Sequence, residues 1–149
     1  MSTTTLFKHF PVKEALVFDE DADQEDGLLA AVRERPEGQS FPAAPREHAL
    51  GTRLAAPDSE ARFTAFTNLV NSTPALRGCR QAMWLRHTSA LAKVIAEESG
   101  LAVNDPACTA LAHLALEATR AVHTHEDPGQ AITRAFHLLD NGWSTLARA

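Results

Sequence analysis

Polar side chains that could do chemistry stand in stretches of sequence that are otherwise apolar. His113 and Glu117 are four residues apart in an Ala- and Leu-rich segment, so on a helix they share one face. Trp84 and His87 lie in the apolar pattern that precedes this segment. Groups of this kind can anchor a ligand at the polar end of an apolar pocket. The alternative for each is a packed side chain or a His–Glu hydrogen bond within the core.

The walls of such a pocket are predicted from large apolar residues at helical spacing. Phe63, Phe66 and Leu69 share one predicted helix, and Met83 and Leu91 belong to the next. Polar anchors and apolar walls together form one candidate site. The predicted ligand-binding residues are Phe63, Phe66, Leu69, Met83, Trp84, His87, Leu91, His113 and Glu117.

The same polar groups were weighed for metal binding and for catalysis. His113 and Glu117 supply two ligands where zinc takes about four, and the further imidazoles of His123 and His125 fall near a loop. An acid–base pair is also conceivable, but no nucleophile motif, phosphate-binding glycine loop or paired carboxylates accompany it. The sequence therefore predicts no metal site, no cofactor and no enzyme activity.

Three prolines mark the starts of helices that would position these groups. The dipeptides at 73–74, 105–106 and 127–128 each place a side-chain acceptor at the N-cap and proline at the first helical position. The first of these helices keeps one apolar face until Gly100 ends it. The second is apolar on nearly every side, which predicts that it is covered on every side. The third carries a single apolar stripe that runs from Ile132 to Leu146.

Earlier segments are also helical in pattern. Asp58 is a predicted N-cap, a short helix is predicted over 46–54 after a proline-rich loop, and residues 13–35 suit a helix interrupted at Gly27. No alternating strand pattern and no internal repeat is found in the sequence. The predicted fold class is all-α, a helical bundle.

Charge and length limit what the chain can bind. Its 149 residues fit one domain with a sizeable core, and its net charge is −5. Six acidic residues crowd positions 19–26, whereas no acid precedes Glu14 and the opening carries Lys8, His9 and Lys13. Because an acidic block repels a nucleic-acid backbone, any DNA contact is expected from the first thirteen residues.

Cysteine usage and hydropathy predict the compartment. Cys79 and Cys108 both fall inside helical patterns, where they are expected to be buried, reduced thiols. No charged-then-apolar leader opens the chain, and no apolar run approaches the roughly 18 residues of a membrane span. A cytoplasmic protein with no membrane partner is predicted.

The opening STTTLFKHFPVKEAL resembles the end of the DNA-binding region in the tetracycline-repressor (TetR) family of bacterial regulators. There, a short recognition helix leads through an aromatic-rich turn into a long helix. Weaker likenesses follow in NLVNSTPALRG at 68–78 and AFHLLDNGW at 135–143, so that the resemblance spans essentially the whole chain, with the first motif the most specific. The residues that fit the opening pattern are Thr5, Leu6, Phe7, His9, Phe10, Lys13, Glu14, Ala15 and Leu16.

The resemblance implies a dimeric regulator with an N-terminal helix-turn-helix and a helical domain that dimerises and accepts a small-molecule inducer. It divides the chain into a remnant of the DNA reader at 1–13 and a ligand-binding and dimerisation domain at 14–149. The resemblance implies two helices before Ser2. A recognition helix depends on a preceding helix that packs across it and contacts the DNA backbone. The DNA reader is therefore expected to be incomplete in this chain.

Within the opening, the resemblance implies DNA contact through hydroxyls and cations. Threonine side chains can bond phosphates or base edges, and lysines neutralise phosphates. The alternative for the apolar members is packing against the following helix. The predicted DNA-binding residues are Thr3, Thr4, Thr5, Phe7, Lys8, His9 and Lys13.

The last two helices are predicted to form a homodimer interface as a four-helix bundle with C2 symmetry. The alternative is that they close the core of the monomer. The predicted interface residues are Ala115, Ala118, Ile132, Phe136, Leu139 and Trp143.

The predicted function is that of a TetR-like transcriptional regulator, a repressor in which an unidentified inducer bound in the helical domain controls binding to a DNA operator. Binding of ligand and binding of DNA would be linked through the connecting helix. The alternative function is that of a dimeric helical ligand-binding protein that no longer binds DNA.

Overall fold

Helices account for nearly all of the chain that the structure describes. The computed structural model describes residue 18 and residues 21–52, 57–121 and 124–146, and within them it contains six α-helices and no β-strand. This confirms the all-α fold class. The helices are α1 (Asp21–Arg33), α2 (Ala43–Thr52), α3 (Ser59–Ser72), α4 (Pro74–Ser99), α5 (Pro106–Ala121) and α6 (Pro128–Leu146).

The proline-marked helix starts are confirmed at all three sites. The Asp105 carboxylate accepts a hydrogen bond from the Ala107 N–H at 2.8 Å, and that of Asp127 accepts one from Gln130 N–H at 2.9 Å. Both acids therefore cap their helices as predicted. The prediction was wrong for Thr73, whose extended backbone precedes α4 but whose hydroxyl makes no capping bond.

Helix α4 ends where glycine predicts it. Gly100 adopts the left-handed conformation with φ 70°, and its N–H bonds to the carbonyl of Ala96. A side chain with a Cβ is disfavoured in that conformation, which is why glycine suits the end of a helix.

Two other helix boundaries were predicted wrongly. α1 runs without interruption through Gly27, because this residue accommodates a neighbouring helix rather than a break. The helix predicted over 46–54 begins earlier, at Ala43, where the Ser40 hydroxyl accepts a bond from the Ala43 N–H at 3.3 Å. Pro45 then lies in the first turn, where a missing N–H costs nothing.

The N-cap predicted at Asp58 does not form. Asp58 precedes α3 in a left-handed conformation, and its side chain makes no capping hydrogen bond.

The main core lies between α4 and α5. Leu91 and Ile95 of α4 are fully buried against Leu111 and Ala112 of α5, and α1 adds Val32. The small side chain of Ala112 lets the two helix backbones approach closely. These helices therefore form the rigid centre on which the other elements pack.

A second apolar cluster joins α2, α5 and α6. It consists of Ala49, Ala115, Ile132 and Phe136, and both large members are completely buried within the single chain. Within the apolar stripe predicted for the last helix, Ile132, Phe136, Leu139 and Trp143 pack α6 onto the domain, whereas Leu146 is exposed.

Arg35 ties the C-terminal end of α1 to three other parts of the fold. Its guanidinium donates to the carbonyl of Val32 at 2.9 Å, lies 3.4 Å from the Glu98 carboxylate and stacks 3.8 Å from the centre of the Phe41 ring. Phe41 in turn meets Trp143 edge to face, with 5.5 Å between ring centres. This end of α1 is therefore firmly held.

The two cysteine thiols differ in burial and are therefore expected to differ in reactivity. Cys108 is fully buried, and burial raises the pKa of its thiol, with a further rise from the charge of Asp105 and an opposing hydrogen bond from Ser99. Cys79 is half-buried. Because the thiolate is the reactive form, iodoacetamide at pH 8 should alkylate Cys79 at least about tenfold faster than Cys108. Peptide mass spectrometry over time measures both rates, and equal rates would contradict the burial of Cys108.

None of the helices in the described ranges is long and apolar enough to cross a membrane.

Candidate functional site

A small cavity lies where α1, α2, α4 and α5 meet. Its volume is about 20 Å³, which is room for roughly one water molecule. Its wall contains both polar and aliphatic side chains. The lining residues are Gln24, Leu28, Pro45, His48, Ala49, His87, Ala115, Leu116 and Thr119.

His87 is the buried polar group at the centre of this wall. Its side chain is only 6% exposed, and its Nε2 lies 3.1 Å from the Glu25 carboxylate of α1. The contact is close, although it departs from the direction of a well-aligned ring N–H donor. Arg86 flanks the same carboxylate at 3.8 Å from the solvent side. Glu25 therefore links the N-terminal half of α1 to two consecutive residues of α4.

His48 reaches the cavity because α1 carries a glycine opposite it. A Cβ placed on Gly27 would lie 3.1 Å from the His48 Cε1 atom, which is tighter than an ordinary van der Waals contact. The absence of a side chain at position 27 thus lets the imidazole of α2 lie flat against α1. On the far side of the cavity, the Thr119 hydroxyl donates to the Leu116 carbonyl at 2.7 Å.

The structure brings one of the predicted ligand-binding residues, His87, into this cavity. Leu91 follows it by one turn in the main core, and Trp84 packs beside that core. Phe66 meets Phe18 edge to face at the α3 side of the molecule, with 5.6 Å between ring centres. The remaining predicted residues lie elsewhere, with Phe63 and Met83 partly buried and Leu69 and His113 exposed.

Glu117 does not pair with His113 as its main partner. Arg120 of the same helix donates to it, and this hydrogen bond lowers the pKa of the Glu117 carboxyl while partial burial opposes the shift. The pair lies on the surface of α5, where an i,i+3 ion pair contributes little stability. The polar anchors that sequence reasoning missed are Gln24, Glu25, His48 and Thr119.

The residues predicted for the dimer interface lie mainly inward. Ala115, Ile132 and Phe136 are buried in the single chain, and Ala118, Leu139 and Trp143 are partly buried. A second set of residues on the same two helices, which shares Ala118 with the predicted interface, is here called the outer face. The outer face consists of Ala107, Ala110, Leu114, Ala118 and Ala121 of α5 with Ala131, Ala135 and Leu138 of α6.

The predicted DNA-binding residues Thr3, Thr4, Thr5, Phe7, Lys8, His9 and Lys13 lie outside the described residues, as does the proposed boundary between 13 and 14. Among the residues that are described, no group of three or more His, Cys, Asp and Glu side chains has the arrangement of a metal site.

Comparison with known families assigns the class. A model of TetR-type C-terminal domains matches residues 42–149, from just before α2 to the end of the chain, and the chain therefore belongs to the TetR family of regulators. The particular domain is described as the MftR C-terminal domain. Membership points to regulation rather than catalysis. No curated protein matches the chain significantly.

Proposed function

We propose that this protein is a ligand-controlled transcriptional repressor, in which a small molecule bound at the polar cavity alters binding to DNA. The observation that carries the proposal is the composition of the cavity wall. Gln24 and Leu28 come from α1, the helix that follows the predicted DNA reader along the chain, while the other walls come from the family's helical domain. A ligand at this junction would touch both the matched helical domain and α1, the helix through which the chain continues from the predicted DNA reader.

The size of the cavity supports a coupling between binding and movement. Its volume of about 20 Å³ excludes anything much larger than water. A ligand can therefore bind only when at least one of the four helices is displaced. Such a ligand favours the displaced arrangement by its differential affinity for the two states, which is the requirement for control at a distance.

The proposed active form is a homodimer that joins through the outer face. Leu114 is 50% exposed and Leu138 is 73% exposed, although each lies beside small, partly buried residues of its own helix. Alanines around the two leucines would let helices of a second copy approach closely. Pairing of α5 and α6 with their symmetry mates produces a four-helix bundle.

DNA contact is assigned to the opening segment. Thr3, Thr4 and Thr5 would bond phosphates or base edges, and Lys8 and Lys13 would neutralise phosphates. The acidic residues at 19–26 repel the phosphate backbone, so this stretch is not expected to contact DNA.

A fragment selection tests this function. Sheared genomic DNA from the source organism, passed over the immobilised chain at low salt, should be enriched in a few specific fragments, and a small-molecule extract of the same cells should release them. Lys8→Ala should weaken binding to these fragments and reduce the slope of log affinity against log salt by about 1.

Lys93→Ala is the matched control, because Lys93 is an exposed lysine of α4 whose partner is Glu97 of the same helix. It should leave the salt slope unchanged. If no fragment is enriched at any salt concentration, DNA control by this chain is excluded and the alternative, a ligand-binding protein that does not touch DNA, takes its place.

A further inference from the structure

We propose that the ligand of the cavity is a small molecule with a compact apolar body and one carboxylate. The carboxylate of the ligand replaces the Glu25 carboxylate beside His87, and this exchange releases the N-terminal half of α1. This inference rests on the proposed ligand control and adds to it a chemical class and a release step. It is carried by the 3.1 Å contact between His87, which lines the cavity, and Glu25, which lies behind it.

The cavity wall favours an anion over a cation. Two imidazoles, one amide and one hydroxyl contribute its polar groups, and none of the described residues that line it is acidic. Imidazole and amide N–H groups can donate to a carboxylate, and bonds to a charged acceptor are about twice as strong as neutral ones. A cationic ligand would meet no carboxylate on this wall other than that of Glu25 behind His87.

The aliphatic part of the wall limits the shape of the ligand. Ala49 and Ala115 are small, and Leu28, Pro45 and Leu116 complete an apolar surface of short side chains. A ring or short branched chain could be covered by this surface once α1 moves. The apolar contact would supply affinity and the imidazole would supply selectivity for the charged head.

Exchange of the Glu25 carboxylate for the ligand carboxylate beside His87 leaves no buried charge without a partner. Glu25 is 20% exposed and touches both His87 and Arg86, and the Arg86 side chain is 59% exposed. When a ligand carboxylate takes the place beside His87, Glu25 can follow Arg86 outward into solvent and keep a cationic neighbour. The costly outcome of an unpaired buried charge is thereby avoided.

Release at Glu25 would act on one end of α1 only. Leu28 and Val32 anchor the second half of the helix in the core, and Arg35 holds its end against Glu98 and Phe41. Towards the N-terminus, Ala22, Asp23 and Asp26 are exposed, whereas Glu25 contacts His87 and Arg86 of α4. Displacement is therefore greatest at the end of α1 that leads towards the opening segment.

A pair of matched probes tests the proposal. Benzoate and benzyl alcohol share a ring and differ in charge, and titration calorimetry measures the affinity of the full chain for each. We expect benzoate to bind at least about tenfold more tightly, to shift the NMR signals of the His87 imidazole and to speed amide exchange in residues 21–28. Equal affinities, no detectable binding of benzoate, or binding that leaves the His87 signals unchanged would overturn the proposal.

Three variants sharpen the test. Glu25→Gln removes the internal competitor and should tighten benzoate binding at least about threefold while it speeds amide exchange in residues 21–28 without ligand. Asp26→Asn, an exposed acid on the same helix, should do neither. His87→Gln should abolish the preference for benzoate, and its thermal midpoint confirms that it folds. The proposal fails if Glu25→Gln behaves like Asp26→Asn.

This outcome is separable from that of the fragment selection. If a cell extract releases DNA but benzoate neither binds nor is favoured by Glu25→Gln, the regulator stands and the carboxylate ligand is overturned. If benzoate binds as described and no DNA fragment is enriched, the site stands and the control of DNA does not.

Discussion

Replacement of Phe136 by alanine should lower the free energy of unfolding by about 3–5 kcal/mol, because it removes a ring that no solvent reaches. Phe136 seats α6 on Ala49 of α2 and Ala115 of α5, so the cavity left behind would lie where three helices meet. The free energy of unfolding of a domain of this size is about 5–15 kcal/mol, so the expected loss is a large fraction of it. Urea denaturation followed by circular dichroism measures the change.

Thr133→Ala is the matched control within α6. Its hydroxyl donates to the Gly129 carbonyl of its own helix and its side chain is exposed, so the free energy of unfolding should change by less than about 0.5 kcal/mol. Phe136→Leu, a smaller deletion, extends the test if the alanine variant does not fold. A Phe136→Ala variant as stable as the parent would show that this ring is not in the core.

Leu114→Glu should convert the proposed homodimer to monomer, with a loss of at least about 100-fold in dimer affinity. A C2 axis places the new carboxylate twice in one apolar interface, and an uncompensated buried charge costs several kcal/mol. Sedimentation velocity across a range of protein concentrations measures the change. Since Leu114 is exposed in the single chain, the unfolding of the monomer should be little affected.

Leu85→Glu is the control for this experiment. Leu85 is also an exposed leucine, but it lies on α4, which contributes no residue to the outer face. It should leave the dimer intact, whereas Leu138→Glu on α6 should weaken it as Leu114→Glu does. A parent chain that sediments as a monomer at micromolar concentration, or equal effects of the Leu85 and Leu114 variants, would contradict the outer face as the interface.

The helices were predictable where their signals are local. An aspartate followed by proline specifies an N-cap and a first turn within a few residues, so the starts of α5 and α6 follow directly from sequence. The stripe on α6 likewise reflects the period of a single helix. Gly27 was misread because its reason lies outside its own segment, in the imidazole of His48 on the next helix.

The candidate site was predictable only in part for the same reason. His87 stood out as a polar residue on an apolar face, and the structure places it in the cavity. Its neighbours Glu25 and His48 belong to exposed-looking, polar stretches, where nothing in the spacing distinguishes them from surface residues. Only the packing of α1 onto α4, and of α2 onto α1 and α5, brings them near His87. Contacts between residues that are far apart in the sequence leave no periodic pattern from which they could be predicted.

The small volume of the cavity also has a kinetic consequence. The proposed coupling requires that the helices separate before a ligand enters this space of about 20 Å³. The observed rate of association then rises with ligand concentration up to a plateau, and the plateau equals the rate at which the helices open. The speed of the response is in that case a property of the protein rather than of the ligand, and every ligand of the site shares the same upper limit.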